Sequence, residues 1–254
     1  MDIWIISCGT LRVSAQEMYN GLSPERIASL YAVDRDGFMR ISMNALLVDT
    51  GKQVVLFDPG AADFLPSKFT SAYGLEIPVS LEQSLEHLGY TSGEVTDVVF
   101  THLHFDHASG AFVRKPGQIA KRFPNAKYHV LKEHYEYARN PDESEGGAFA
   151  MALFRQVDRI HWLEDWNADW MELKVFYGHT RGMVVPGIKS SSGWVWFVTD
   201  LIPMQGFLAP DVNSGYDLDR SLALREKREF LAGLPGGSEI IFFHDPLTDR
   251  MFYP

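Results

Sequence analysis

Four side chains of metal-binding type lie within six consecutive residues of the chain. The four are His102, His104, Asp106 and His107. They come directly after the apolar run Val98-Val99-Phe100, which predicts a short buried strand. Because His102 and His104 are two residues apart, both rings can reach the same side of an extended or tightly turned chain. Imidazole and carboxylate ligands suit Zn²⁺, Fe²⁺ or Mn²⁺, so the cluster predicts a metal site rather than a surface group of histidines.

Three further candidate ligands come after apolar, strand-like segments later in the chain. They are His179, Asp200 and His244. Polar residues at the carboxyl ends of strands are where α/β folds place their sites. Each of the three alone is more typical of a residue that caps or hydrogen-bonds a chain end, and only the three together, in this order, indicate ligands. A single catalytic metal ion needs three protein ligands and an open position. Four ligand-type residues in one loop therefore indicate two metal ions, whose remaining ligands must come from elsewhere.

The order and spacing of these residues resemble the metallo-β-lactamase superfamily. The similar elements are the His-x-His-x-Asp-His motif at 102–107, then His179, Asp200 and His244, and an early Asp-x-Gly element in Phe57-Asp58-Pro59-Gly60. The resemblance covers nearly the whole chain. It implies an α/β (α+β) fold class, specifically a four-layer αββα sandwich with a dinuclear metal site on one edge.

The resemblance also implies a role for each candidate residue. His102, His104 and His179 would bind one metal ion, Asp106, His107 and His244 would bind the other, and Asp200 would bridge both. Asp58 would orient a ligand histidine through a hydrogen bond. Thr101, which precedes His102, is expected in a similar supporting position.

The implied site predicts hydrolytic chemistry. Two divalent cations that share a solvent molecule lower its pKa and supply hydroxide near neutral pH. The bridging hydroxide would attack a small ester or lactone carbonyl, while the ions polarise the carbonyl and stabilise the leaving alkoxide. Asp106 and Asp200 are the expected catalytic residues, because they lie beside that solvent and can accept or relay its proton. The expected cofactors are two divalent ions, Zn²⁺ first, with Fe²⁺ or Mn²⁺ as alternatives.

The ligand set separates the branches of this superfamily. β-Lactamases with a similar motif lack the bridging Asp, and some use a Cys near that point, whereas this chain has Asp200 and its single cysteine is Cys8. Flavodiiron oxidoreductases place Glu at the position of His104 and add a flavin domain. The chain is most similar to the N-acyl homoserine lactone lactonases. Three alternatives stay open: a phosphodiesterase or nuclease, a glyoxalase II-like thioesterase and, less favoured, a non-catalytic metal-binding protein.

One departure from the lactonase pattern concerns the substrate. Those enzymes place a Tyr three residues after the bridging Asp, where this chain has Pro203. Tyr216, in the following loop, is the candidate replacement, and Met204 and Phe207 are candidate contacts to an apolar acyl group. The polar, acidic segment 140–147 is interpreted as a solvated loop, with a lid over the site as the alternative.

Charge and composition limit the partners. The 254 residues include 33 Asp+Glu against 23 Lys+Arg, a formal net charge of −10, whereas nucleic acids and anionic membranes select basic surfaces. No apolar run approaches the roughly 20 residues that span a bilayer, and the N-terminus lacks a signal-peptide pattern. A single cysteine is compatible with a reducing compartment. We expect a small-molecule substrate in the cytoplasm and no nucleic-acid or membrane partner, and we leave homodimer formation open.

The elements that must position these residues form a mixed pattern. Apolar strand-like segments precede the candidate ligands, and helical segments alternate with them, most clearly over 80–88 and 219–234. A further helical stretch is predicted over 132–160, broken at Asn140-Pro141-Asp142. This alternation predicts two sheet-and-helix halves that pack together as a single domain over residues 1–254.

Overall fold

Short strands and helices alternate along the chain. The computed structural model describes the backbone of residues 1–254 and all side chains except those of Lys68 and Phe69. The strands are β1 (Asp2–Ser14), β2 (Phe38–Asp49), β3 (Val54–Phe57), β4 (Asp97–Val99), β5 (Phe112–Lys115), β6 (Gln118–Lys121), β7 (Lys127–Val130), β8 (Ile160–Trp162), β9 (Met171–Phe176), β10 (Met183–Ser190), β11 (Gly193–Phe197), β12 (Glu239–Ile241) and β13 (Arg250–Phe252). The α-helices are α1 (Ala15–Met18), α2 (Pro24–Ala28), α3 (Ser67–Ala72), α4 (Leu81–His87), α5 (Phe105–Ala108), α6 (Lys132–Arg139) and α7 (Arg220–Ala232). Short 3₁₀ helices cover Ser109–Ala111, Glu143–Glu145, Met151–Gln156, Leu163–Asp165, Thr199–Leu201 and Gln205–Leu208.

The chain divides into two compact units. Unit 1 contains residues 1–9, 43–70 and 76–169, and unit 2 contains residues 10–42, 71–75 and 170–254. The first two strands have residues in both units, because the boundary falls after Gly9 in β1 and after Ser42 in β2. The interpretation of residues 1–254 as a single domain stays a prediction.

The larger sheet, which belongs mainly to unit 1, brings the ends of parallel strands to one edge. Its strand order is β1-β2-β3-β4-β7-β8, and β2 and β3 form an antiparallel pair. The strands β3, β4, β7 and β8 pair in parallel. Strands of this kind are buried on both faces and are continuously apolar, and Phe57 and Val99 are fully buried. The chain therefore leaves β3 towards Asp58 and β4 towards Thr101 at the same edge.

The second sheet lies in unit 2 and has the order β13-β12-β11-β10-β9. β11 and β12 pair in parallel, whereas the other neighbours are antiparallel. Asp200 follows β11 and His244 follows β12, so both come after strands that end at the same edge. Because β10 is antiparallel to β11, it begins at that edge, and its first residue comes shortly after His179. The predicted α/β character of the chain is confirmed in both units.

The stretch 132–160 differs from the predicted helix. Helix α6 ends at Arg139, and 3₁₀ helices and strand β8 follow. Asn140-Pro141 ends α6, because the residue before a proline is disfavoured in the helical conformation. A second difference is the β5–β6 hairpin, which the sequence analysis missed. Its turn contains Pro116 and Gly117, and Gly117 has a φ of 78°, the positive value that the third residue of a type II turn requires.

The α-helices are short, and α4 and α7 begin at residues whose side chains cap them. The longest, α7, has 13 residues, and the Asp219 carboxylate accepts the Leu222 backbone N–H at its start. Helix α4 begins with a capping box between Ser80 and Gln83. Both lie where the sequence predicted helices. Among the described residues, none of the helices is long and apolar enough to cross a membrane.

Candidate metal centre

Asp58 is the centre of a buried hydrogen-bond network in unit 1. Its Oδ1 accepts the Thr101 backbone N–H at 2.8 Å, and its Oδ2 accepts the Thr101 hydroxyl at 2.5 Å and lies 2.9 Å from His107 Nδ1. Burial raises the pKa of Asp58, and the contacts with His107 and Thr101 oppose that shift. Asp58 has a φ of 45°, a left-handed conformation that costs energy in a residue with a side chain. The network therefore holds Asp58 in a strained position.

The loop after β4 brings three imidazoles together in unit 1. The His102 ring lies beside those of His104 and His107, with ring centroids 4.6 and 4.0 Å apart. The Leu103 backbone N–H donates to His134 Nε2 at 2.8 Å and so fixes the loop between the first two rings. His102 and His107 also offer nitrogen atoms within 4.8 Å of each other and of a carboxylate oxygen of Asp58, and all three residues are buried.

Helix α5 carries the last two residues of the motif. An Asp106 carboxylate oxygen lies 4.0 Å from His107 Nε2. Gly110, two residues after the helix, packs against the turn that contains Asp58, and a Cβ at Gly110 would lie 2.2 Å from the Pro59 carbonyl oxygen. A side chain at this position would collide with backbone, so glycine is required for the contact that fixes α5 against the Asp58 turn.

Glu145, in the acidic segment 140–147, contacts the second histidine of the motif. Its Oε1 lies 3.0 Å from His104 Nε2, and its Oε2 accepts the Tyr137 hydroxyl at 2.5 Å. Glu145 is 6% exposed, whereas residues 142–144 and 146–147 are exposed. The solvated-loop interpretation therefore describes most of the segment but not Glu145, which the sequence analysis did not single out.

In unit 2, Asp200 lies between two imidazoles. Its Oδ2 is 3.1 Å from His179 Nε2, and its Oδ1 is 3.3 Å from His244 Nε2. The three side chains are each at most 10% exposed. Thr199, directly before Asp200, has a φ of 40°, which is unfavourable for a β-branched residue. A strained turn at the end of β11 thus presents the Asp200 carboxylate to both rings.

Asp217 is a second carboxylate on His179 that the sequence analysis missed. Its Oδ1 lies 3.1 Å from His179 Nδ1, and its Oδ2 accepts the Ser214 backbone N–H at 3.1 Å. The Leu218 backbone N–H also donates to the His179 carbonyl at 3.0 Å. Burial lowers the pKa of His179, but Asp200 and Asp217 together raise it to about 10. Burial raises the pKa of Asp217, and the contact with His179 opposes that shift.

Helix α7 fixes the backbone just before His179. Glu226, in the middle of this helix, accepts the backbone N–H groups of Tyr177 at 2.9 Å and Gly178 at 2.8 Å. A Cβ at Gly178 would lie 2.3 Å from the Ala223 backbone nitrogen, so only glycine allows the chain to approach α7 this closely. The glycine directly before a candidate ligand was the sequence signal for this packing.

Every candidate ligand histidine contacts an oxygen atom through one ring nitrogen. The pairs, at 2.8 to 3.1 Å, are His102 Nδ1 with Thr101 Oγ1, His104 Nε2 with Glu145 Oε1, His107 Nδ1 with Asp58 Oδ2, His179 Nδ1 with Asp217 Oδ1, and His244 Nδ1 with the Ser42 carbonyl. Such contacts fix the tautomer and orientation of histidines that bind metals. The histidine and carboxylate side chains of each unit are therefore suited to bind divalent metal ions. The nitrogen that would bind a metal is Nε2 in four of the rings and Nδ1 in His104.

The predicted substrate contacts differ in exposure. Met204 and Phe207 are buried against Tyr19, whose hydroxyl lies 3.8 Å from Met204 Sδ and whose ring centroid lies 4.7 Å from that of Phe207. Tyr216 is 42% exposed, and its hydroxyl lies 3.1 Å from a Glu17 carboxylate oxygen. The role of all three as substrate contacts stays a prediction, and of the three Tyr216 has the most accessible side chain.

A buried lysine holds the segment that carries Phe207. Lys227 Nζ donates to the carbonyls of Phe207 and Ala209 at 2.8 Å and to that of Val212. Burial lowers the pKa of Lys227 to about 8, so at pH 7 the ammonium group still supplies a donor to each carbonyl.

Replacing Lys227 by Met removes all three donors. We expect the free energy of unfolding, measured by urea denaturation, to fall by about 3 kcal/mol.

The exposed Lys189 provides the matched control for this prediction. Lys189→Met removes a surface charge of the same kind and is expected to leave the urea midpoint within error of the unsubstituted protein. An unchanged midpoint in Lys227→Met would mean that the three carbonyls are satisfied without the lysine, and that another contact holds the segment.

The chain matches a protein family and proteins of related architecture. The model of the metallo-beta-lactamase superfamily matches residues 41–182, more than half of the chain. AttM of Azorhizobium caulinodans, an N-acyl homoserine lactonase, is 33% identical over 134 residues, which cover 52% of this chain and 46% of that protein. The chain therefore spans less than half the length of this relative.

Two solved structures share the fold at low sequence identity. A probable metal-dependent hydrolase from Staphylococcus aureus has a TM-score of 0.89 at 18% identity, over 99% of this chain and 92% of that chain. AidC, a dizinc quorum-quenching lactonase, has a TM-score of 0.80 at 21% identity, over 98% of this chain and 89% of that chain.

This chain belongs to the metallo-β-lactamase superfamily and has its α/β fold. Its relatives include N-acyl homoserine lactonases, the branch that the motif and its spacing indicated. The family prediction made from the residues at 102–107 and the three later candidate ligands is confirmed.

Proposed function

We propose that this chain is a metal-dependent hydrolase that opens a small lactone or cleaves a small ester, with an N-acyl homoserine lactone as the model substrate. The observation that carries the proposal is the set of five histidines, each oriented by an oxygen partner, in a chain of this superfamily. The names of two similar proteins support this proposal, since AttM is an N-acyl homoserine lactonase and AidC is a dizinc lactonase.

We propose seven ligands for two divalent cations, Zn²⁺ first and Fe²⁺ or Mn²⁺ as alternatives. His102, His104 and His179 bind one ion, Asp106, His107 and His244 bind the other, and Asp200 bridges both. The division follows the family pattern, and the imidazole and carboxylate donors within each unit suit these ions. When bound, the two metal ions supply the Lewis acidity that polarises the substrate carbonyl and activates a water molecule.

The carboxylates of the chain move the proton in this proposal. The oxygen of the attacking water adds to the lactone carbonyl carbon, and the bond from that carbon to the ring oxygen breaks. Asp106 and Asp200 accept the proton of the water and pass it to the departing ring oxygen, which becomes the hydroxyl group of the product. Asp58 and Thr101 keep the ligand rings in place through the contacts at His107 and His102.

The acyl and ring portions of the substrate need their own contacts. We propose Met204 and Phe207 for the apolar acyl chain and Tyr216 for the polar ring atoms. Tyr216 takes the role of the tyrosine that lactonases have at the position of Pro203. Its 42% exposed side chain is accessible to a ligand.

We also propose a cytoplasmic location, a single functional domain over residues 1–254 and small-molecule rather than nucleic-acid or membrane partners. The single cysteine is compatible with that reducing compartment, because Cys8 has no second cysteine in the chain with which to form a disulfide. The formal net charge of −10 supports the choice of partner. Light scattering tests homodimer formation.

Metal removal is expected to abolish hydrolysis, and Zn²⁺ is expected to restore it. The measurement combines elemental analysis of the purified chain with an assay of N-hexanoyl homoserine lactone opening before dialysis against a chelator, after it, and after reconstitution. We expect two metal ions per chain in the active protein, because the seven proposed ligands provide for two cations. Well under one ion per chain, with no activity restored by Zn²⁺, Mn²⁺ or Fe²⁺, would contradict the proposal.

A substrate panel separates the proposed activity from the alternatives on the same ligands. The panel contains the lactone, an aryl acetate, S-lactoylglutathione as thioester and bis(p-nitrophenyl) phosphate as phosphodiester, all assayed with protein of known metal content. We expect the highest kcat/KM for the lactone or the aryl ester. A clear preference for the phosphodiester would replace the proposal by nuclease-type chemistry. Full metal binding with no turnover of any substrate would favour the non-catalytic alternative.

A further inference from the structure

A buried carboxylate lies within an otherwise exposed acidic segment of unit 1. Glu145 is 6% exposed, while its neighbours Asp142, Glu143 and Gly146 are exposed. Burial of a carboxylate is unfavourable unless hydrogen bonds or an opposite charge compensate for the loss of water. The segment 140–147 must therefore be held in a conformation in which Glu145 has such partners.

Two side chains from different elements supply these partners. His104 Nε2, at the start of α5, lies 3.0 Å from Glu145 Oε1. The Tyr137 hydroxyl, on α6, donates to Glu145 Oε2 at 2.5 Å and also accepts the Asp142 backbone N–H at 3.2 Å. Each carboxylate oxygen is thus used, and one of them contacts a ring that we propose as a metal ligand.

Backbone contacts hold the same segment against the histidine. The Phe105 backbone N–H donates to the Ala148 carbonyl at 2.8 Å, and the Ala148 N–H donates to the Glu145 carbonyl at 2.9 Å. His104 and Phe149 form an isolated β-bridge, and their ring centroids lie 4.8 Å apart. The chain around Glu145 is therefore paired with the residues that precede and begin α5, which opposes any movement of this part of the segment as a free flap.

We infer that Glu145 is a positioning residue for His104, which it orients for metal binding through Nδ1. The inference rests on the proposed dinuclear function. The Glu145 carboxylate accepts the proton on Nε2, fixes the tautomer with Nδ1 deprotonated, and sets the ring direction. Segment 140–147 then acts as a tether that brings this carboxylate to the site, and the lid interpretation of the segment is replaced.

The other ligand rings provide a comparison within the same chain. Asp58 contacts His107 Nδ1 and Asp217 contacts His179 Nδ1, at 2.9 and 3.1 Å. Glu145 contacts Nε2 of its ring, so the nitrogen for the metal is the one nearer the backbone. A shorter carboxylate at position 145, or a rearranged tether, would leave His104 able to rotate or to take the other tautomer, and metal binding would weaken.

The test compares Glu145→Ala and Glu145→Gln with Glu143→Gln as the matched control. Glu143 is in the same 3₁₀ helix and is exposed, so its substitution changes the same charge without touching His104. The primary readout is the Zn²⁺ dissociation constant, from competition with a chromophoric chelator. A second readout is the visible absorption of Co²⁺-substituted protein, which reports ligand geometry and does not depend on turnover.

We expect Glu145→Ala to weaken the binding of one of the two ions by roughly 10- to 100-fold and to change the Co²⁺ spectrum. Glu145→Gln keeps an oxygen acceptor of the same reach, so its loss of affinity should be smaller. Glu143→Gln should match the unsubstituted protein in both readouts. Hydrogen exchange at the Phe105 and Ala148 amides should increase in Glu145→Ala, because the tether loses its side-chain contact.

The failure of this inference can be distinguished from failure of the proposed function. If the unsubstituted chain binds two ions and Glu145→Ala binds both with unchanged affinity and an unchanged Co²⁺ spectrum, the positioning role is wrong and the proposed function stands. If the unsubstituted chain binds no metal, both are wrong. If circular dichroism shows that Glu145→Ala does not fold, Glu145→Gln decides, and affinity and spectrum equal to those of Glu143→Gln would overturn the role.

Discussion

Replacing Asp200 by Asn is expected to reduce lactone hydrolysis by roughly 10²- to 10⁴-fold, the range typical of the loss of a catalytic proton acceptor. Asp200 lies 3.1 Å from His179 Nε2 and 3.3 Å from His244 Nε2 through its two carboxylate oxygens. Asparagine keeps the size of the side chain but replaces one oxygen by an amide NH₂ group and removes the negative charge. The variant would lose a bridging ligand and a proton acceptor together.

The measurement is kcat/KM for N-hexanoyl homoserine lactone, made beside elemental analysis of the same preparation. Asp211→Asn, a change of the same kind at an exposed carboxylate in the same unit, is the control and should retain full activity. Circular dichroism should show an intact fold in both variants. Unchanged turnover in Asp200→Asn, with two ions still bound, would show that Asp200 is neither the bridge nor the proton acceptor.

His107→Ala should produce a similar loss of activity for a different reason. The substitution removes a proposed ligand and leaves Asp58 Oδ2 without its imidazole partner at 2.9 Å. We expect metal content to fall from two ions towards one, whereas Asp200→Asn should weaken both ions. Equal metal content in His107→Ala and the unsubstituted chain would remove His107 from the ligand set.

The sequence predicted the ligand-type residues because they are concentrated in a short motif and follow apolar strands. Strand β4 is buried throughout, and the apolar residues Val98-Val99-Phe100 at its carboxyl end lead directly into the motif. The chemistry of the side chains and the spacing of the motif are local properties, so they are visible without any knowledge of tertiary contacts. The same applies to Asp58, which follows the apolar strand β3 in the sequence.

The residues that contact the candidate ligands could not be predicted, because they are distant in sequence and have no motif of their own. Glu145 is 41 residues from His104, and Asp217 is 38 residues from His179. The Ser42 carbonyl, which contacts His244 across 202 residues, is a backbone group and leaves no trace in the residue type. Such contacts depend on how the strands and loops pack, which composition and periodicity do not specify.

Two residues with a left-handed backbone conformation show a further limit of what can be predicted from the sequence. Asp58 and Thr199 have φ values of 45° and 40°, in a region that glycine adopts freely, asparagine and aspartate less often, and a β-branched residue such as Thr199 rarely. Asp58 directly follows strand β3 and contacts the candidate ligand His107, and Thr199 comes two residues after strand β11 and directly precedes Asp200. The surrounding hydrogen bonds and packing impose the conformation, so a local reading of these residues predicts an ordinary turn.

Replacing Asp58 by Ala is expected to lower the free energy of unfolding of the metal-free chain by about 3 kcal/mol. The substitution leaves three buried donors without their acceptor, namely the Thr101 N–H, the Thr101 hydroxyl and His107 Nδ1. Each such group costs roughly 1 to 3 kcal/mol when left unsatisfied. Burial raises the pKa of Asp58, which means that the buried carboxylate itself is unfavourable, and the substitution removes this cost. The three unsatisfied donors outweigh that gain.

Asp58→Asn separates this stability effect from metal binding. The asparagine oxygen can still accept the Thr101 backbone N–H, so the variant should unfold closer to the unsubstituted chain in urea. Its NH₂ group faces His107 Nδ1 as a donor and favours the tautomer with the proton on Nε2, the nitrogen proposed for the metal. We therefore expect the Zn²⁺ affinity of Asp58→Asn to fall by roughly 10- to 100-fold.

The exposed Asp169 provides the control for both variants, because Asp169→Ala and Asp169→Asn change the same charge away from the network. Urea denaturation of chelator-treated protein measures the stability of each variant, and chelator competition measures its Zn²⁺ affinity. If Asp58→Asn lost stability as Asp58→Ala does but bound Zn²⁺ normally, Asp58 would be a structural residue of the β3 turn. Loss of affinity at nearly full stability is the result that an orienting role predicts, on His107 directly and on His102 through Thr101, because the asparagine preserves the shape of the turn and changes the hydrogen bonds that set the protons on the rings.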